Sequence, residues 1–209
     1  MKKKGLLIVI SGPSGAGKGT ICKELLKDSN FFLSVSITTR QPRQGEVNGE
    51  SYYFYSKEDF KRKIEENDFL EYAEVYGNFY GTPKSKVMER LNRGEDVILE
   101  IDIQGALKVK ENFEEGVFIF ILPPSMEELK NRIIKRGSAT PESLMTRFKS
   151  AYKEINYLSK YNYAVVNDTV DEAANKIKSI IAAEKCRVDR IKENLLDSKE
   201  GIIHEQLYD

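Results

Sequence analysis

Short, nearly continuous apolar runs recur at wide intervals along the chain: Leu6–Ile10, Val97–Ile101, Val117–Leu122 and Tyr163–Val166. They are rich in β-branched and aromatic residues, the pattern of strands buried on both faces, as in a parallel sheet. Leu33–Ile37 is a candidate fifth. Between these runs the apolar period lengthens. Ile21, Leu25 and Leu26 share one side of a helix. Ser125 and Glu128 form a capping-box pattern ahead of the stripe Met126, Leu129 and Ile133. Thr140 and Pro141 supply a cap and a first-turn proline for a helix carrying Leu144, Phe148, Ala151, Ile155 and Leu158. Thr169 with Glu172 caps a helix whose stripe is Val170, Ala173, Ile177 and Ile181. Past Glu184 it is expected to continue as a charged helix with Val188, Ile191 and Leu195, breaking at Asp197–Gly201. Strands alternating with helices at this spacing predict an α/β domain, a parallel sheet flanked by helices.

Two segments depart from that rhythm. Residues 34–82 are rich in Tyr and Phe, with turn signals at Gln44–Glu50 and Tyr76–Gly81. They predict a small β-rich insertion with one helix, capped by Ser56 and carrying Phe60 and Ile64. Residues 136–143 join two arginine-bearing helices by a polar, small-residue loop, a candidate lid.

Composition narrows the function classes. A chain of 209 residues suits one ordinary domain. Lys+Arg and Asp+Glu balance at 33 each, so bulk charge draws it to neither nucleic acid nor membrane, and neither is expected as a partner. Cys22 and Cys186 stand far apart with no Cys/His cluster, which argues against structural zinc and for a reducing compartment. The run Leu6–Ile10 is too short for a signal peptide, and no stretch approaches the roughly 20 apolar residues of a membrane span. These features lead us to expect a soluble, cytoplasmic protein.

The chemistry begins at Ser11–Thr20, SGPSGAGKGT. A phosphate-binding loop reads G-x-x-x-x-G-K-[ST], following a strand and opening a helix. Gly12, Gly17 and Lys18 fit, but Gly19 stands where the hydroxyl belongs and Thr20 arrives one residue late. Glycines let backbone N–H groups approach phosphate oxygens, and the new helix adds its partial positive charge. The predicted ATP site is Gly12, Pro13, Ser14, Gly15, Ala16, Gly17, Lys18, Gly19 and Thr20, with Lys18 reaching the β- and γ-phosphates. The departure at Gly19 weakens only a direct Mg²⁺ contact, because Mg²⁺ keeps several waters and leans on substrate phosphates. Thr20 is left to serve the α-phosphate or a metal-bound water.

In order along the chain, GPSGAGKGT, SITTRQPRQGEVNGESYYF, FLEYAEVYGNFYGTP, LEIDIQGA, FILPPS and RGSATPES closely resemble the guanylate kinases. The similarity runs from about residue 5 to about 184. The resemblance implies a P-loop fold whose core takes residues 1–33, 83–125 and 148–195. It places a GMP-binding insertion at 34–82 and a lid at 126–147. The tail, 196–209, holds the single histidine, His204, and has no assigned role. The implied reaction moves the γ-phosphate of ATP to GMP, and to dGMP, with Mg²⁺ as the ATP counter-ion. By the same resemblance Arg40, Arg43, Tyr52 and Tyr80 hold the GMP phosphate, and paired arginines suit a dianion as charge-assisted forks.

The resemblance further implies that Ser36 and Glu100 lie near the base, which Glu71 and Thr82 read. A carboxylate accepts from guanine N1–H and N2–H₂ while a hydroxyl donates to O6, a pairing that adenine leaves unmatched. Asp102 suits a water-mediated Mg²⁺ contact, with helix capping as its structural alternative. The resemblance also implies that Arg132, Arg136 and Arg147 converge on the ATP phosphates when the lid shuts. A non-catalytic, protein-binding relative would be expected to lose the loop lysine or glycines, and a kinase for AMP or UMP would lack the Glu71/Thr82 pair.

Overall fold

The computed structural model describes residues 4–28, 30–75, 77–135 and 141–191. In chain order the elements are β1 (Leu7–Ser11), α1 (Lys18–Leu25), β2 (Phe31–Leu33), β3 (Ile37–Thr38), β4 (Tyr53–Phe54), α2 (Lys57–Glu65), β5 (Phe69–Val75), β6 (Asn78–Pro83) and α3 (Lys84–Asn92). Then follow β7 (Asp96–Glu100), α4 (Ile103–Asn112), β8 (Val117–Leu122), α5 (Met126–Lys135), α6 (Pro141–Ile155), β9 (Tyr163–Val166) and α7 (Val170–Glu184).

The apolar runs form one parallel sheet in the order β2-β7-β1-β8-β9. Alternate residues of β1 explain why the run is continuous. Ile8 and Ile10 pack with Ile21 and Leu25 of α1 and Ile177 of α7, while Leu7 and Val9 pack with Val87, Leu91 and Val109 of α3 and α4. The chain leaves β1 toward one edge and later crosses to the other. The carboxyl ends of β1 and β7 therefore flank a crevice, where ligands bind in open α/β sheets.

A second sheet, β4-β3-β6-β5, is formed by residues 37–83. Phe60 of α2 is fully buried beneath it, stacked between Phe69 at 4.5 Å and Phe79 at 5.3 Å. The antiparallel register sets Glu71 opposite Thr82. This sheet is fastened to the core, because Lys108 of α4 donates to the Tyr72 carbonyl at 2.6 Å and Asn112 to the Leu70 carbonyl at 3.3 Å.

Helix starts follow the sequence closely. Ser56, Ser125 and Thr169 each accept a hydrogen bond from the N–H three residues on. The Glu128 carboxylate, however, binds Arg132 Nε at 2.8 Å, so only half of the expected capping box forms at that end.

Four expectations are corrected. Leu33–Ile37 is two strands: Ser34 N–H makes a last bond to the Ile98 carbonyl, and the chain then crosses to the second sheet. Leu158 lies in a separate 3-10 turn, Leu158–Lys160, beyond the end of α6. The last helix stops at Glu184, where the buried carboxylate takes Arg190 at 2.9 Å and the chain turns back into a separate helical turn at 188–191. The proposed lid loop is shorter than 136–143, since α6 begins at Pro141. Thr140, Arg136, Leu195 and the tail with His204 lie outside the described residues.

Candidate functional site

The glycine-rich loop spans the gap between β1 and α1, at the sheet's carboxyl edge. Gly17 is the N-cap of α1 in the left-handed region, φ 93°, and a Cβ there would sit 2.2 Å from Asn167 Nδ2. Lys18 folds back over the loop, its amine donating to the Gly12 carbonyl at 2.5 Å and the Pro13 carbonyl at 3.3 Å. A cavity of about 200 Å³ is lined by Gly12, Ser14, Gly15, Gly17, Lys18 and Gly19, with Glu100, Asp102, Ile103 and Glu154 facing them. Two larger clefts, about 440 and 580 Å³, open at the amino ends of the strands, around Leu6, Asp96 and Gly116. That is the wrong edge for a ligand site in a parallel sheet.

Gly19, which stands where the motif has its hydroxyl, lies close to an acid. A Cβ on Gly19 would lie 3.3 Å from the Glu100 carboxylate, so a serine or threonine there would press on that acid. Thr20 is exposed and stands off the cavity, while Ala16 is fully buried in the core. Asp102 is indeed the N-cap of α4, its Oδ1 accepting from Gly105 N–H at 2.8 Å, so the capping alternative is realised while the residue still lines the cavity.

On α5, Arg132 reaches the loop. Its guanidinium donates to the Asn167 carbonyl at 3.3 Å and lies 3.9 Å from the Cβ position of Gly17. Arg147 is on α6, with its side chain outside the described residues, as is all of Arg136.

The insertion gathers a second set. Thr82 is buried and donates to Glu71 Oε1 at 2.7 Å. Burial pushes the Glu71 carboxyl up to about 7, with Asp102 adding to the rise, while the Thr82 hydroxyl and Lys108 pull it down. Tyr52 and Tyr80 meet edge to face at 6.0 Å, and burial also raises the Tyr52 phenol above its ordinary value. Arg40 lies over the Tyr52 ring, 5.6 Å from its centroid. The Arg43 side chain is exposed, and Ser36 stands just before β3 with its carbonyl accepting from Tyr53 N–H.

Sequence reasoning passed over two residues in contact with these groups. Asn167, just past β9, is 3% exposed, and its Nδ2 donates to the Ala16 carbonyl at 2.7 Å, clamping the phosphate loop from below. Its Oδ1 is buried with no hydrogen-bond partner among the described residues. Glu46 binds Arg40 through both oxygens, at 2.8 and 3.0 Å. A glutamate inside the Arg-rich turn was the available signal for Glu46; Asn167 carried none.

A parallel sheet with a glycine-lysine loop after its central strand, and acids at the neighbouring strand end, defines a P-loop nucleotide-binding fold. The guanylate kinase family model matches residues 4–184. A guanylate kinase of Clostridium tetani is 78% identical over 207 residues, covering 99% of this chain and 100% of that protein. One from Clostridium acetobutylicum is 75% identical over 209 residues, covering 100% of both. The crystal structure of guanylate kinase from Anaplasma phagocytophilum superposes with a TM-score of 0.76 at 37% identity, covering 96% of this chain and 98% of that one. The chain belongs to the guanylate kinase family.

Proposed function

We propose a division of labour among these residues for the reaction that family membership gives the chain, transfer of the γ-phosphate of ATP to GMP. The observation that carries it is the Thr82–Glu71 pair, a hydroxyl and a carboxylate 2.7 Å apart and largely out of water, facing each other across β6 and β5, the strand that α4 fastens to the core. Guanine's N1–H and N2–H₂ donate to the Glu71 carboxylate, and Thr82 turns its hydroxyl to O6. Ser36 borders the base, Glu100 faces Gly19 of the phosphate loop instead, and Arg40, Arg43, Tyr52 and Tyr80 grip the phosphate.

ATP lies over Gly12–Thr20, its β- and γ-phosphates drawing the Lys18 amine away from the loop carbonyls. Arg132, Arg136 and Arg147 stabilise charge on the transferring group. The acceptor is already an anion near neutral pH, so no general base is needed, and positioning carries the catalysis.

Mg²⁺ fits the donor set, since hard carboxylate oxygens of Glu100 and Asp102 line the cavity beside Lys18. Among the described residues no group of three or more His, Cys, Asp or Glu is placed to hold a metal. Asp102 would meet it through water, and the cation would supply charge neutralisation for the β- and γ-phosphates. A cytoplasmic location belongs to the same proposal, supported by two cysteines that are both free. Among the described residues no helix is long and apolar enough to cross a membrane.

The test is one coupled assay supplying ATP with GMP, dGMP, AMP, CMP and UMP in turn. Turnover confined to GMP and dGMP is the expected result. ADP release that ignores the monophosphate, or answers only to AMP, would overturn the assignment of the guanine site.

A further inference from the structure

The monophosphate clamp contains a carboxylate as well as its cations. Both Glu46 oxygens accept from Arg40 Nη2, at 2.8 and 3.0 Å, and Oε2 also accepts from the Arg43 backbone N–H at 2.7 Å. The Glu46 N–H returns to the Arg43 carbonyl at 3.1 Å, closing the turn. Arg40 Nη1 donates to the Gln41 carbonyl at 2.7 Å. The two side chains are only 15% and 21% exposed, so this is a partly desolvated pair rather than a loose surface contact. One edge of the guanidinium is thus anchored inside its own loop, while its face lies against Tyr52, which meets Tyr80.

We infer that Glu46 is a positioning residue, which fixes the Arg40 guanidinium and the Arg43 backbone in a preset anion cradle before the monophosphate arrives. The inference rests on the assignment of Arg40 and Arg43 to the GMP phosphate. An arginine free to rotate must be ordered as the ligand binds, and that cost weakens affinity. An arginine held along one edge by a fixed carboxylate meets the phosphate already aimed. One acid serves both arginines, because its second oxygen sets the backbone that carries Arg43. The opposing possibility is that Glu46 is a stand-in anion, filling the phosphate's place and competing with it. The two roles predict opposite changes in KM for GMP.

The experiment is steady-state kinetics on the full chain, varying GMP and ATP separately, with Glu46→Gln, Glu46→Asp, Arg40→Met and the double variant Arg40→Met/Glu46→Gln. In Glu46→Gln the side-chain carbonyl still accepts from Arg43 N–H, but the amide nitrogen turns donors toward Arg40. For this variant KM for GMP should rise roughly tenfold or more, the effect of a lost charge-assisted pair. Its kcat should stay within about threefold and KM for ATP should not move, because only ground-state binding of one substrate is touched. Glu46→Asp should recover part of the loss. The double variant should be no worse than Arg40→Met alone, since Glu46 acts through Arg40.

A KM for GMP that is unchanged or lower in Glu46→Gln overturns the inference, as does a joint loss of kcat, KM for ATP and thermal stability. If Arg40→Met raises KM for GMP while Glu46→Gln does not, positioning alone falls. If Arg40→Met leaves KM for GMP unchanged, the clamp assignment falls with it.

Discussion

Replacing Glu71 by Gln should stabilise the protein while damaging its function, and the size of the gain can be worked from the site. Burial lifts the carboxyl from 4.5 to about 7, with Asp102 adding to the rise and Thr82 and Lys108 opposing it. At about 1.4 kcal/mol per pH unit, that gap corresponds to about 3 kcal/mol. The folded protein holds the Glu71 proton more tightly than the unfolded chain does. Stability is therefore lost as pH rises from 4.5 to about 7, and the loss persists above it. Glutamine is neutral throughout, and its carbonyl can still accept from Thr82.

Glu71→Gln should accordingly unfold at higher urea at pH 8, by roughly 2–3 kcal/mol, a Tm gain on the order of 5–10 °C. The gain should shrink toward nothing near pH 4.5. Urea titrations of both proteins without nucleotide, at pH 5 and pH 8, measure this directly. In parallel, the wild-type KM for GMP should rise about tenfold from pH 8 to pH 6 as Glu71 takes up its proton. The variant should lack that component, start from a much higher KM, and lose preference for GMP over AMP. A stability difference that is the same at both pH values would refute the desolvation argument, and an unchanged GMP preference would show that the base is read elsewhere.

Three other outcomes follow from the geometry. Lys18→Met should lower kcat by on the order of a thousandfold or more while leaving the fold in place; full activity would remove the loop from catalysis. Thr20→Val should leave the Mg²⁺ dependence of activity unchanged, since Thr20 is exposed and off the cavity, and a shifted Mg²⁺ requirement would place its hydroxyl on metal-bound water. Asn167→Ala should destabilise by about 1–2 kcal/mol, through the lost partner of the Ala16 carbonyl. It should also raise KM for ATP, measured by urea unfolding and by kinetics; an effect on stability alone would make Asn167 merely structural.

Much of the architecture was legible because it is local. Continuous apolar runs marked the strands of a sheet covered on both sides, and Ser56, Ser125 and Thr169 marked helix starts through hydroxyls that reach only three residues on. The phosphate loop was legible for the same reason, since strand, glycines, lysine and helix are contiguous. The misreadings came where distant groups overrode periodicity. The run after Phe32 reads as one strand, yet it divides between two sheets, because β7 pairs with its first part and β4 and β6 with its second. The helix after Thr169 reads as continuing, yet Glu184 is buried and draws Arg190 back onto it.

By itself, then, the sequence determined the fold class, the phosphate loop and the residue types able to hold two nucleotides, because patterning and motif spacing are properties of neighbours along the chain. The tertiary structure alone decided which groups meet and how strongly each is perturbed. It brought Asn167 under the loop from 151 residues away, set Thr82 against a Glu71 taken out of water, and placed Gly19 close against the Glu100 carboxylate. Those contacts depend on how two sheets and α4 are packed together, and burial, which sets the charge state of Glu71, exists only once that packing has excluded water.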